Sequence, residues 1–219
     1  MDDVFPHIVW TFGGIGIEDT VLATWAIIVL VIGAVALVKR RWPAALESLI
    51  EFLSDSTSLV MGRPAEPFLP LLATLAIFVG AANSAGIFPG LRAPTRSINT
   101  TAALALVVFG SVHYYGIRAR GLGAYLRGLA DPVFLLPLEI IGQFSRTFAM
   151  ALRLFGNVLS AEMIVAVIFS IVPLFVPLPL IGLSLLTGLL QAYILTILAA
   201  VYVGAAVGAS DPIPNGRSS

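Results

Sequence analysis

Residues 144–157 read FSRTFAMALRLFGN, a stretch that sets two arginines, Arg146 and Arg153, inside a long apolar run. Seven residues are nearly two helical turns, so both guanidiniums lie on one face of a helix. A charge at the bilayer centre costs roughly 2.5–3.5 kcal/mol on insertion scales. Arginine cannot escape that cost by losing its proton, because its pKa stays above about 12. The pair therefore points to ion or proton handling within a membrane. The polar positions continue in register. Glu139, Arg146 and Arg153 follow at intervals of seven, and Gln143 and Asn157 join the same face by steps of four. Ser160 and Glu162 add polarity further on. A straight helix drifts about 20° per seven residues, so the stripe winds slowly. It must face water, protein or a partner of opposite charge rather than lipid.

The rest of the chain agrees with a membrane setting. Of its 219 residues 58% are hydrophobic and only 11% charged, with a mean hydropathy of +1.00. A soluble domain carries about 25% charged residues, so this composition predicts an integral membrane protein. The formal net charge of zero argues against nucleic acid as a partner. There is no cysteine, hence no disulfide, thiol nucleophile or thiolate metal site. The N-terminus, MDDVFPHIVW, is acidic, which speaks against a cleaved signal peptide. No GxxxxGK[ST] loop suggests ATP binding, and neither an internal repeat nor a soluble domain is evident.

The pattern predicts an all-α fold of five membrane-inserted helices plus one amphipathic interfacial helix, in a single membrane domain. The first span, 20–38, ends in Lys39, Arg40 and Arg41, a cluster expected on the cytoplasmic side, so the N-terminus faces outward. In 43–61, Leu46, Leu49, Ile50, Leu53 and Leu59 recur at helical spacing between acidic and serine residues, which reads as an amphipathic helix on the membrane surface or on another subunit. Spans at 68–88 and 99–115 follow, joined by an outside loop holding Arg92 and Arg96. Arg118, Arg120 and Arg127 then suit the cytoplasm. The apolar segments 132–172 and 174–207 are overlong for ~30 Å of hydrocarbon. The proline-rich VPLFVPLPL joins them, predicting a strongly tilted hairpin whose C-terminus is cytoplasmic.

The last helix offers Ser184, Thr187 and Gln191 on one face, with Thr196 and Tyr202 beyond. Gln191 could hydrogen-bond a charged neighbour in the hairpin. Simpler readings stand beside these. Thr187 and Thr196 could bond their own backbone. Glu139 could be an interfacial acid near Asp131, and Arg146 could snorkel or pair with Glu139. His7 and His113 read as interfacial. Arg153 has no acid three or four residues away, so its partner must come from elsewhere in the fold or from another chain.

Four stretches carry a resemblance to a known family: PFLPLLATLAIFVGAANSAGIFP with Pro70, Thr74, Asn83, Gly86 and Pro89; PTRSINTTAAL; ALRLFGNVLSAEMI; and LLQAYILTILAAVYV. Together they resemble subunit a of the bacterial rotary F-type ATP synthases, the stator beside the c-ring. The resemblance implies that Arg153 is the essential stator charge, with Asn157 and Gln191 its polar neighbours. It implies Glu162 as the acid of the outer half-channel and Glu139 as the acid of the inner one, with Arg146 at a position often basic. Ser97 and Ser184 stand where some relatives carry an acid or a histidine. That leaves Glu162 as the clearest titratable group of the outer channel.

The expected function is then ion translocation coupled to ring rotation, in a non-catalytic subunit without a cofactor. A ring carboxylate approaching Arg153 is pushed toward its ionised form, because a nearby cation lowers an acid's pKa by about 1–3 units. The expected coupling ion is the proton, with Na+ as the alternative. The expected partners are the c-ring, the peripheral stalk subunit b, the other ATP synthase subunits and the lipid bilayer of the bacterial inner membrane. A small secondary transporter would show repeats and matched broken helices. A membrane scaffold would leave Arg153 and Glu162 unexplained.

Overall fold

The computed structural model describes residues 8–12, 15–86, 93–129, 134, 136–171 and 177–208. Two short antiparallel strands, β1 (Ile8–Phe12) and β2 (Ile15–Glu18), precede the helices. The all-α expectation did not include this hairpin, although β-branched and aromatic residues dominate both strands. Seven helices follow among the described residues: α1 (Asp19–Arg41), α2 (Pro43–Met61), α3 (Leu69–Ala85), α4 (Ile98–Arg120), α5 (Leu122–Leu129), α6 (Leu136–Ile171) and α7 (Pro177–Val207). A 3-10 turn, Pro94–Arg96, leads into α4. Of the described helices, α4, α6 and α7 are long and apolar enough to cross a membrane. His7, Arg92, Asp131, the Pro89-Gly90 stop and the first five residues of the VPLFVPLPL turn lie outside the described residues.

The helix limits follow from local chemistry. Pro43 opens α2 at the first helical position, where its missing N–H costs nothing. Gly62 closes it at φ 64°, a left-handed conformation that glycine adopts without penalty. The expected third span ended near Tyr115, but α4 runs on to Arg120, because nothing in Gly116–Ile117–Arg118–Ala119 breaks a helix. The additional helix α5 folds back against α4. Tyr125 of α5 is buried over Gly116, where an added Cβ would come within 2.5 Å of the ring. At 1.5 Å per residue the 36 residues of α6 extend about 54 Å, well beyond the bilayer core.

α7 is the centre of the bundle, packed against α2, α3, α4 and α6. Its inward face is mostly small: Ala192, Ala199, Ala200 and Val203, with Leu195. Small residues let helix backbones approach, which matters in lipid because apolar contact alone gives helices little reason to associate. An added Cβ on Gly188 would meet Asn83 Cβ at 3.0 Å, and one on Gly204 would meet Met61 at 3.3 Å. α6 and α7 run antiparallel, since Arg146 lies by Tyr202 and Glu162 shares a cleft with Ser184. They do not form a self-contained hairpin: α7 packs most extensively on α3, and α6 packs on α4 at least as much as on α7. α2 buries Leu53, Thr57 and Met61, whereas Leu49 and Leu59 are exposed, so the side facing the bundle is only part of its apolar surface.

Both ends of the bundle are tied by polar contacts. At the end carrying Arg118 and Arg120, hereafter the basic end, Arg63 NH1 donates to Gly208 O (3.1 Å) and Arg120 Nε to Val207 O (3.0 Å). Two cations thus meet the negative pole of α7. At the opposite end, Asn83 Nδ2 donates to Gly188 O (2.9 Å) while Thr95 Oγ1 donates to Asn83 Oδ1 (2.8 Å). This buried bridge joins α3, α7 and the 3-10 turn. Asn83→Leu is expected to weaken it by about 1–2 kcal/mol, read as a lower midpoint of heat-induced aggregation in detergent. An unchanged midpoint would show that the bridge carries no net stability.

Candidate ion path

The stripe on α6 runs along the margin between its packed and open faces. Met150, Ala151, Leu154 and Val158 are buried, while Arg146 and Arg153 are exposed and Glu139, Gln143 and Asn157 are half-buried. Arg153 makes no hydrogen bond or ion pair among the described residues. Steps of three and four place Ser145, Ala149, Gly156 and Ser160 on its face, none with a side chain larger than a hydroxymethyl. Around this low track the surface is apolar: Phe148 and Leu152 of α6, and Leu190 and Ile194 of α7, are exposed.

Three clefts adjoin the stripe. The first, about 280 Å³, opens among α4, α5, α6 and α7 toward the basic end and is lined by Glu139, Gln143, Arg146, His113, Tyr125 and Tyr202, among others. Gln143 Nε2 donates to Glu139 Oε1 at 3.3 Å, and Arg146 NH1 stands 3.8 Å from the same oxygen. With side chains 49% and 40% exposed, the Arg146–Glu139 pair contributes at most about 1 kcal/mol. Arg146 also lies over the Tyr202 ring, 5.8 Å from its centroid. Burial pushes the Tyr125 phenol above its ordinary value; Arg120 opposes this and Glu139 adds to it. Tyr125 therefore remains a hydroxyl donor through the neutral range. A smaller cleft, about 180 Å³, continues along the α6–α7 seam past Ser145, Arg146, Leu198 and Tyr202 to Arg153.

The remaining cleft, about 210 Å³, lies toward the other end of α6 and holds Asn83, Asn157, Glu162 and Ser184. Glu162 Oε2 is 3.3 Å from Arg96 Nε, on the 3-10 turn. Nine residues are two and a half turns, so Glu162 projects from the side of α6 opposite Arg153, roughly 13 Å along the axis. Glu139 lies fourteen residues the other way, close to four turns and roughly 21 Å, on the same side as Arg153. The two acidic clefts are thus offset both along and around α6, with the arginine between their levels.

Not every anticipated residue reaches a cleft. Ser97 is buried at the start of α4 and lines none of the three, whereas Arg96 beside it contacts Glu162. Consecutive side chains of a 3-10 turn diverge by about a third of a turn, so only one of the two points to α6. Gln191 is 6% exposed, lines no cleft, and its carboxamide has no hydrogen-bond partner among the described residues. The anticipated bond to a charged group of the hairpin is absent there, because α7 turns this position into the bundle interior. Thr187 and Thr196 donate to Leu183 O and Ala192 O, each at 2.8 Å, the local backbone bonding that lets a hydroxyl sit in an apolar helix. His113 lines the first cleft instead of ending a helix, since α4 continues two turns past it. The contacts of Arg96 with Glu162 and of Asn83 with Thr95 carried no signal of their own in the sequence. Among the described residues no three His, Asp or Glu side chains gather as a metal site requires.

Long apolar helices bearing two offset acidic clefts, with exposed arginines on α6, define an integral membrane protein. The sequence profile described as ATP synthase A chain matches residues 20–204. The chain is 45% identical to "ATP synthase subunit a 2" of a Bradyrhizobium species over 90% of its length and 92% of that protein. It is 43% identical to "ATP synthase subunit a 1" of Prosthecochloris aestuarii over 96% and 97%, and 42% identical to "ATP synthase subunit a" of Nitrosospira multiformis over 93% and 88%. The chain belongs to the ATP synthase subunit a family. Its role is that of the stator in the membrane part of an ATP synthase, and its partners are other subunits of that complex.

Proposed function

We propose that this chain couples proton flow to rotation by holding Arg153 against a ring of carboxylates, with the Glu162 cleft as outer half-channel and the Glu139 cleft as inner one. The observation that carries this reading is Arg153 itself: an exposed guanidinium without a partner among the described residues, on a track of small side chains within an apolar surface. In lipid such a charge is costly, and the small residues leave room for another helix to come close. A helix of the c-ring bringing an ionised carboxylate fits both facts. The basic last turns of α1, with Lys39, Arg40 and Arg41, and of α4, with Arg118 and Arg120, support a cytoplasmic placement of both turns and of the C-terminus, in the inner membrane of a bacterium, with the N-terminus outside. The acidic side of α2, with exposed Glu47, Glu51 and Asp55, would then lie at the cytoplasmic surface, where the peripheral stalk subunit b passes.

The mechanism follows from charge and access. A ring carboxylate can cross lipid neutral but not ionised. Near Arg153 it is driven to ionise, gives its proton to one cleft, passes the arginine, and takes a proton from the other. The fixed cation opposes a direct leak because it stands between the levels of the two acidic clefts along α6. At 4 Å and an effective dielectric of 20 the attraction is worth about 4 kcal/mol, small enough for hydration to release the ring. Arg96 supports the proton over Na+. A hydrated metal ion entering the outer cleft would meet a guanidinium already on Glu162, whereas a proton needs only a chain of hydrogen bonds.

The chain has no native cysteine, so introduced thiols report contacts without background from it. Ala149→Cys or Ser160→Cys is expected to cross-link to a cysteine placed beside the ring carboxylate, whereas Ala192→Cys, buried within the bundle, is not. Cross-linking from position 192 but not from 149 or 160 would reject this face as the ring surface.

A further inference from the structure

We infer that His113 is a proton-exchanging residue of the inner half-channel, taking up and releasing protons between the cytoplasm and Glu139. The inference rests on the stator reading above and assigns a role to a residue outside the stripe. His113 lines the cleft that also holds Glu139. Its Nδ1 is 2.8 Å from Phe109 O, one turn back on α4. A carbonyl only accepts, so in the neutral ring Nδ1 carries the hydrogen and Nε2 keeps its lone pair. Nε2 has no hydrogen-bond partner among the described residues. The ring is also fixed in orientation, 4.3 Å from the Phe109 centroid and edge-on to Tyr125 at 6.0 Å. An oriented imidazole with an unused lone pair, lining a polar cleft, is equipped to exchange protons near neutral pH.

The groups facing this cleft are Arg120 from α4, Tyr125 from α5, Glu139 and Arg146 from α6, and Tyr202 from α7. Arg120 and Arg146 are permanent cations, and burial pushes the Tyr125 phenol above its ordinary value. Among the described residues lining the cleft, His113 is the one imidazole and Glu139 the one carboxylate. The step balances simply. A proton from cytoplasmic water binds Nε2 and forms the imidazolium. The same nitrogen releases it through cleft water to the Glu139 carboxylate, leaving a neutral ring and a carboxylic acid, and the reverse step serves the opposite direction. The Nδ1–H bond to Phe109 is untouched throughout.

The test uses membrane vesicles containing the assembled complex, stripped of the soluble catalytic part. Passive proton flow is driven by a potassium diffusion potential while pH on the formerly cytoplasmic side is varied and the other side held constant. His113→Gln keeps a donor for Phe109 O but cannot titrate. It is expected to lower flow about tenfold near neutral pH and to remove a pH-dependent step present in the wild type. His113→Glu is expected to restore flow with that step moved to lower pH. Wild-type flow and profile in both variants would overturn the inference. So would an equal loss at every pH without recovery in His113→Glu, which is the mark of a purely structural residue. Arg153→Ala in vesicles that keep the catalytic part separates the two levels: unimpaired ATP-driven pumping there removes the stator reading itself, whereas its loss together with an indifferent His113 removes only the relay.

Discussion

Arg153→Ala is expected to abolish ATP-driven proton pumping in inverted vesicles, with the complex still assembled, for an electrostatic reason. Without the guanidinium, nothing at mid-membrane drives an approaching carboxylate to release its proton. Nothing stops a proton from passing between the clefts along the seam by Leu198 and Tyr202 either. Two faults therefore combine: coupling disappears, and passive leak rises. A loss of about 4 kcal/mol of attraction corresponds to roughly a thousandfold in rate or occupancy, below the sensitivity of a fluorescence-quenching assay. Arg153→Lys is expected to fail nearly as completely. An ammonium can lose its proton in an apolar setting and lacks the planar fork that meets a carboxylate with two parallel bonds. Normal pumping by either variant defeats the assignment. The assay is run without sodium; pumping that required added Na+ would replace the proton with that ion while leaving the role of Arg153 in place.

Glu162→Gln is expected to have the next largest effect, a fall in proton flow of at least about tenfold, the lower range for losing a positioned proton-transfer group. The variant also sets Arg96 beside a neutral carboxamide. The two side chains are 20% and 30% exposed, so the cost stays below that of a fully buried broken pair. Arg96→Ala combined with Glu162→Gln separates the contributions. If Arg96 acts only through Glu162, the double variant conducts no worse than Glu162→Gln alone, and the single effects do not add. Unchanged flow in Glu162→Gln would move the outer group elsewhere, with Ser184 and Asn157 the neighbours to examine next.

What could be read from the chain and what could not divide along a physical line. The membrane class followed from composition, and the arginine stripe from helical spacing, because the cost of charge in lipid and the period of 3.6 are local properties. The same arithmetic holds the opposition of Glu162 and Arg153, since nine residues make two and a half turns. The extension of α4 past Tyr115 was less legible, because the sequence does not show that Gly116 serves as the seat of Tyr125.

Only the tertiary structure decided which polar groups meet across helices. Arg96 reaches Glu162 across a separation of sixty-six residues in the chain. His113 enters the Glu139 cleft because α4 packs on α6 in one particular register, and Gln191 is turned into the bundle because α7 presents its small face to α3. A one-dimensional pattern records which face of a helix is polar, but a shift of a single residue in the packing of two helices would pair different side chains while leaving every such pattern unchanged.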